Sequence, residues 1–295
     1  MSLSVRPLHP RFVGEVGGVD IGRPLDTATV AALWQAIDRY AVLVFRGQML
    51  DDERQMDFAR QFGELELPRS GRADVKRRLR PEMSDISNLD EQGQLRRRDD
   101  ARRFDQLGNR LWHTDGSFRR IPAALSMLYA HRVPRPGPVG KGETEFADLR
   151  AAHDALPAAT KAEVEDLVAL HDIAWSRAQL GFTELLFGEK DVLPPVPQRL
   201  VRVHPGSKRK TLYLAAHASE IVGWPLPDGR LLLRDLIEHA TRPEFVYRHA
   251  WREGDLVIWD NRCTMHRGRA FDEREVRDLR RVTTRDISST LDQTA

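Results

Sequence analysis

The sequence predicts an α+β protein with a mainly β core. Three observations carry this. Amphipathic helices lie at the front and middle of the 295-residue chain, short strands bracket the stretch NRLWHTDGSF (109–118), and the buried strands are far apart in sequence. No G-x-G-x-x-G follows a strand, and neither a Walker loop nor G-x-S-x-G is present. Those absences disfavour a dinucleotide fold, a P-loop and the commonest serine-hydrolase elbow.

The elements follow in order. VGEVGGVDIG (13–22) reads as a strand with a Gly-rich turn. LDTATVAALWQAIDRY (25–40) places Val30, Leu33, Trp34 and Ile37 at helical spacing, with Asp26 or Thr27 as N-cap. AVLVF (41–45) is a buried strand, and LDDERQMDFARQFG (50–63) is a second amphipathic helix with Gly63 after its end. AALSMLYAHRV (123–133) is strand-like, and a Pro/Gly-rich turn leads into a strand at the end of PRPGPVGKGETEFADL (134–149). Two helices are expected in DLRAAHDALP and AATKAEVEDLVALHD, and a third in RLLLRDLIEHAT (230–241). RLVRVHP and TLYLAA come between them, and the end is strand-rich: FVYRHAW, GDLVIWDN and RRVTTRDI.

Residues 68–110 differ. Arginine clusters alternate there with acids, and only SDISNL (84–89) reads as a strand. We expect a mobile lid over a site, because the segment runs directly into His113-Thr114-Asp115; a solvated loop is the plainer alternative. The interleaved acids argue against a nucleic-acid-binding arm.

Hydrophobic residues make up 41% of the chain and charged residues 31%, the balance of an ordinary globular protein, here expected to form one domain over 1–295. The net charge of +2 gives no bulk attraction to nucleic acid. No apolar run is long enough to span a membrane, and MSLSVRPLHPRF lacks the apolar core of a secretory signal, so a cytoplasmic location is expected. The single cysteine, Cys263, excludes a disulfide framework and a multi-cysteine zinc site. Only six of the 46 basic residues are lysine, so one arginine alone is a weak signal.

His113 and Asp115 form an H-x-D pair, either a metal clamp or two ordinary polar residues; Asp115 alone can cap a turn. A two-histidine, one-carboxylate facial triad needs a second, distant histidine. Of the ten histidines, His266 stands apart: it follows the buried strand and turn of DLVIWDNRCTMHRG. Arg277 and Arg281 come next, four apart and on one face of an alternating strand. Three protein ligands on one face of an octahedral Fe(II) leave three positions open. A 2-oxo acid fills two, O2 takes the third, and the far carboxylate needs a planar bidentate cation, which is an arginine task.

With WHTD and WDNRCTMHR in this order, the chain resembles the taurine/2,4-dichlorophenoxyacetate dioxygenase family of Fe(II)- and 2-oxoglutarate-dependent oxygenases. The resemblance runs from VGGVDIGRPLD through LVFRGQML, FARQFGELE and GKGETEFADL to the last arginines. It implies a double-stranded β-helix (jelly roll) with flanking helices. It further implies His113, Asp115 and His266 as iron ligands and Thr144 with Arg277 at the distal carboxylate of 2-oxoglutarate. Arg281 would meet the acid of the prime substrate, Asn109 and Trp112 would wall the pocket, and a homo-oligomer is the expected assembly. The implied reaction couples decarboxylation of 2-oxoglutarate to succinate with hydroxylation of a small acid; a hydroxylated ether carbon then collapses. Taurine-specific members carry histidine and tyrosine after the F-G-x-L turn, whereas FGELELPRSGRA has proline and arginine. ISNLDEQG, FADLRAAHDALPAAT and VRVHPGS resemble the branch that cleaves phenoxyacetates and 2-phenoxypropionates. An alkylsulfonate or alkylsulfate enzyme, and a binding protein with an incidental H-x-D, are the alternatives.

Overall fold

A computed structural model describes residues 3–67, 77–181 and 193–293. One sheet has seven strands in the order β1 (Ser4–Pro7), β2 (Gly14–Gly17), β3 (Val42–Phe45), β13 (Leu256–Asp260), β5 (Ala123–Arg132), β15 (Asp278–Arg285) and β4 (Met83–Asp85). A second has β12 (Val246–His249), β6 (Thr144–Asp148) and β14 (Thr264–Gly268). A third joins β11 (Ala218–Ile221), β7 (Val168–His171) and β8 (Val196–Arg199), and β10 (Lys210–Leu212) pairs with β9 (Val201–Val203).

Strand alternation sends successive side chains to opposite faces and so builds layers. From the large sheet, Leu43, Phe45, Met127, Tyr129 and Ile258 pack outward on Leu33 and Ile37 of α1 (Thr27–Tyr40) and Met56 and Phe58 of α2 (Asp52–Arg60). Their neighbours Val42, Val44, Leu128, Val257, Trp259 and Leu279 face inward onto Phe146 of the β12–β6–β14 sheet. The other face of that small sheet, through Ala147 and Met265, is covered by α4 (Leu149–Asp154) and by Leu233, Leu236 and Ala240 of α7 (Leu226–Ala240). The result is the two-sheet sandwich with flanking helices expected of a jelly roll. The Asp26 side chain caps α1 by accepting from Thr29 N.

The structure also corrects the reading of single elements. The helix expected through AATKAEVEDLVALHD stops early: α5 spans Ala158–Val164, and Val168–His171 is β7 because both its edges are paired, by β8 and β11. A short helix that periodicity missed, α6 (Ile173–Ala178), is capped by Asp172. The expected excursion over 68–110 is, from residue 77 onward, built onto the sheet edge; residues 68–76 lie outside the described residues. β4 pairs with β15, Arg78 bonds both Asp85 and Asp278, and the Asn88 amide donates to the carbonyls of Glu273 and Glu275. Helix α3 (Ala101–Leu107) then leads into a 3-10 turn at Gly108–Arg110.

His171 of β7 is fully buried, stacks on Tyr213 at 5.7 Å, and neither ring nitrogen has a partner. Burial therefore pushes its imidazole down to about 3. The folded chain prefers the neutral ring, whereas the unfolded chain takes up a proton near the ordinary value of 6.5. This contribution is complete above pH 6.5 and is lost as pH falls toward 3. Between pH 7 and pH 5 the wild type is expected to lose about 2 kcal/mol more stability than His171→Leu. Urea unfolding at both pH values checks this; equal losses would contradict it.

Candidate active site

The 3-10 turn delivers His113 to the edge of β14, where its backbone exchanges hydrogen bonds with His266 (3.0 and 2.8 Å). The two rings then lie 4.2 Å apart. Asp115 follows on the same side, with its oxygens 3.8 Å from His113 Nε2 and 3.6 Å from His266 Nε2. Candidate ligand atoms of all three residues lie within 4.8 Å of one another, and all three residues are buried. Thr114 points away, donating its hydroxyl to the carbonyls of Leu214 and Thr264. It is the spacer that strand alternation requires.

The surroundings fix each donor. His113 Nδ1 lies 2.8 Å from the Leu111 carbonyl; a proton there leaves Nε2 free as a ligand. Ser126 Oγ donates to Asp115 Oδ2 at 2.8 Å and receives the Asn261 amide at 3.0 Å. Asn261 Oδ1 in turn accepts from Asp115 N and Trp259 Nε1. Burial lowers the proton affinity of both imidazoles, keeping them neutral as metal ligands must be. Burial alone would raise the Asp115 carboxyl, but the Arg281 guanidinium, with the Ser126 hydroxyl, holds it far below the ordinary carboxylate range. Two neutral imidazoles and an ionised carboxylate on one wall fit a divalent first-row metal of the iron type.

A second group, His204, Asp260 and Cys263, also brings potential ligands together. There Arg262 already grips both Asp260 oxygens (2.8 and 2.6 Å), and His204 Nε2 lies 2.9 Å from Oδ2. A guanidinium thus takes the cation's place, and the cluster braces the loop between β13 and β14 that carries Asn261.

Two cavities meet at the triad. The first, about 90 Å³, is lined by Thr144, Arg277, Leu128, Trp259, His113 and His266. The Thr144 hydroxyl accepts from Trp251 Nε1 at 3.0 Å. Arg277 is buried, donates Nη1 to the Ile86 carbonyl at 2.8 Å and lies over the Phe271 ring. Among the described residues it has no carboxylate partner, and burial beside Arg110 pushes its guanidinium down to about 10. A buried, unbalanced cation facing a cavity is the mark of a missing anion.

The second cavity, about 310 Å³, lies on the other side of the triad and contains Asp115, Asn109, Phe118, Arg177, His217 and Arg281. Arg281 lines both cavities and donates Nη1 to Asp115 Oδ1 at 2.5 Å, while its buried Nε has no partner. The nearby acids Asp278 and Asp286 pair instead with Arg78 and Arg202. Of the residues singled out from sequence, all but Trp112 gather here. Trp112 points the opposite way from its neighbour His113, packs with the α7 core, carries Arg267 4.7 Å from its ring centroid and lines a separate cavity. Alternation that aims His113 inward necessarily aims Trp112 outward. Sequence reasoning missed Ser126, Asn261 and Arg177. Asn261 alone had a local signal, beside the W-D-N-R stretch.

The sandwich and the triad, beside a cavity lined by a buried arginine, fit a mononuclear-metal oxygenase of the facial-triad class. The chain belongs to the family described as "Taurine catabolism dioxygenase TauD, TfdA family", whose model matches residues 4–283. It is 45% identical over 290 residues to an alpha-ketoglutarate-dependent 2,4-dichlorophenoxyacetate dioxygenase of Burkholderia sp. (strain RASC), covering 96% of this chain and 95% of the relative. To an (S)-phenoxypropionate/alpha-ketoglutarate-dioxygenase of Sphingobium herbicidovorans it is 37% identical, covering 92% and 91%. The solved structure of AAD-2 in complex with Mn(II) and N-oxalylglycine superposes with a TM-score of 0.90 at 48% identity, covering 99% of this chain and 100% of that one.

Proposed function

We propose that the protein is an Fe(II)- and 2-oxoglutarate-dependent dioxygenase that cleaves aryloxyalkanoates of the phenoxyacetate or phenoxypropionate type. The single observation that carries the co-substrate is buried Arg277, without a carboxylate partner among the described residues, in the wall of a cavity that His113 and His266 also line. His113, Asp115 and His266 hold the ion, and Thr144 and Arg277 hold the distal carboxylate of 2-oxoglutarate. Trp259 (4.6 Å from His266) and Phe146 wall this side against water. Arg281 receives the carboxylate of the prime substrate, and Asn109 borders both cavities. Fe(II), when bound, supplies with O2 and 2-oxoglutarate the oxidising power for C–H hydroxylation. The residues of this chain fix which C–H is presented. In the net reaction an aryloxyacetate, 2-oxoglutarate and O2 give a phenol, glyoxylate, succinate and CO2.

The large relatives' shared chemistry and the apolar members of the second cavity, Phe118 and Ile173, favour an aryl acid over taurine. Segment 77–110 supplies Asn88, Gln106 and Leu107 to the cavity walls, which supports its role as a lid in a one-domain enzyme. We take that enzyme to act on a small soluble acid as a homo-oligomer in the cytoplasm. Among the described residues, no helix is long and apolar enough to cross a membrane. Purified protein given Fe(II), 2-oxoglutarate, O2 and a panel of acids tests the reading. Succinate formation coupled to phenol release from phenoxyacetates is expected. Coupling to taurine or an alkyl sulfate, with no aryloxyalkanoate turned over, would sink it.

A further inference from the structure

Among the described residues, six guanidinium groups and three carboxylates border the second cavity. Most of these arginines have a clear structural role: Arg281 binds Asp115, Arg119 binds Glu66, Arg102 binds Asp100 and Glu91, and Arg96 reaches the Ser87 carbonyl. Arg177 is likewise engaged, and it comes from a different part of the chain. It rises from α6 and lies against the backbone of Gly108, the first residue of the turn that delivers His113. Its Nη1, Cζ and Nη2 all stand closer than 3.0 Å to the position a Cβ on residue 108 would occupy. The guanidinium therefore rests on the glycine's bare face, from which a Cβ would displace it.

Two apolar side chains, Phe118 and Ile173, line the cavity with Arg177. Phe118 meets the His217 ring edge-on (5.1 Å, 86°), Ser176 of α6 holds His217 Nδ1 at 2.8 Å, and Ile173 of the same helix closes the wall. Arg177 lines the same cavity as His113 and His217. The N–H groups of a guanidinium bond in its own plane, so in-plane partners leave its faces open to stack on an aromatic ring.

We propose that Arg177, seated on Gly108, receives the aryl ring of the prime substrate, so that this pair sets the preference for aryl over alkyl ethers. The inference rests on the aryloxyalkanoate reading: Arg281 takes the carboxylate and Arg177 the ring at the other end. Gly108 and Arg177 are specificity-determining residues here, while the reacting carbon is presented by the groups around the triad.

The test compares phenoxyacetate with cyclohexyloxyacetate, which keeps the ether and the acid and lacks the π face. Arg177→Met is expected to raise KM for phenoxyacetate about tenfold, the size of one desolvated guanidinium–ring stack. KM for cyclohexyloxyacetate should change much less, and kcat for phenoxyacetate should stay within a few-fold. Gly108→Ala should reproduce the defect with Arg177 still present, because the new methyl group displaces the guanidinium. Arg177→Lys, which keeps the charge and loses the plane, should behave as Arg177→Met does. Equal changes for the two acids, no change for either, or full recovery with lysine would overturn the assignment. A wild type that turns over neither acid defeats the aryloxyalkanoate reading itself, and this assignment with it. A wild type that turns over both, with variants that do not discriminate between them, defeats the assignment alone.

Discussion

Alanine at His266 is expected to abolish coupled turnover and the visible band that Fe(II) and 2-oxoglutarate form together under anaerobic conditions. His266 supplies one of three protein ligands, and a metal ion's charge stabilisation is worth several kcal/mol. Losing the ligand should therefore lower kcat/KM by at least about a thousandfold. The fold should survive, because the pairing of residues 113 and 266 is made by backbone atoms that alanine keeps. Metal content after dialysis separates the two effects. A His266→Ala protein that retains one equivalent of iron and the band would show that the ligand is assigned wrongly.

Arg277→Gln carries the second large effect, confined to the co-substrate. The guanidinium is buried and donates to the Ile86 carbonyl, a bond that a neutral amide can also make. KM for 2-oxoglutarate should rise roughly a hundredfold, the cost of leaving a buried carboxylate without its cation. The melting temperature without co-substrate should stay within a few degrees, since removing an unbalanced buried charge offsets the lost hydrogen bond. Arg277→Lys should recover little, because an ammonium cannot make the bidentate contact. A variant with normal KM but a collapsed melting temperature would assign Arg277 to the scaffold instead.

Much of the site was legible because its ligands sit where backbone periodicity is strict. His113 and Asp115 flank Thr114 on an extended strip, and Arg277, just ahead of β15, lies four residues from Arg281 within it, so alternation alone puts each pair on one side. The same rule, applied to Trp112, would have excluded it from the pocket. The helices at 27–40 and 52–60 were clear from apolar spacing and from aspartate caps at Asp26 and Asp51. What stayed hidden depends on contacts distant in sequence. Val168–His171 becomes a strand only because β8 and β11 border it, and the fold of 77–110 rests on Arg78 and Asn88 reaching the last strand region. Ser126 and Asn261 are visible only once β5 and the β13–β14 loop converge on Asp115. Gly108 carries no side-chain signal at all; its meaning comes from Arg177, which the chain brings back from α6.

The central claim is that one ion and one 2-oxo acid bind between His113, Asp115, His266, Thr144 and Arg277. A crystal structure of the protein with Mn(II) and N-oxalylglycine tests it most directly. The account predicts one metal ion on His113 Nε2, Asp115 and His266, the acid chelating that ion, and its far carboxylate on Arg277 and Thr144. A metal bound instead at His204, Asp260 and Cys263, or an acid whose far carboxylate rests away from Arg277, would contradict it.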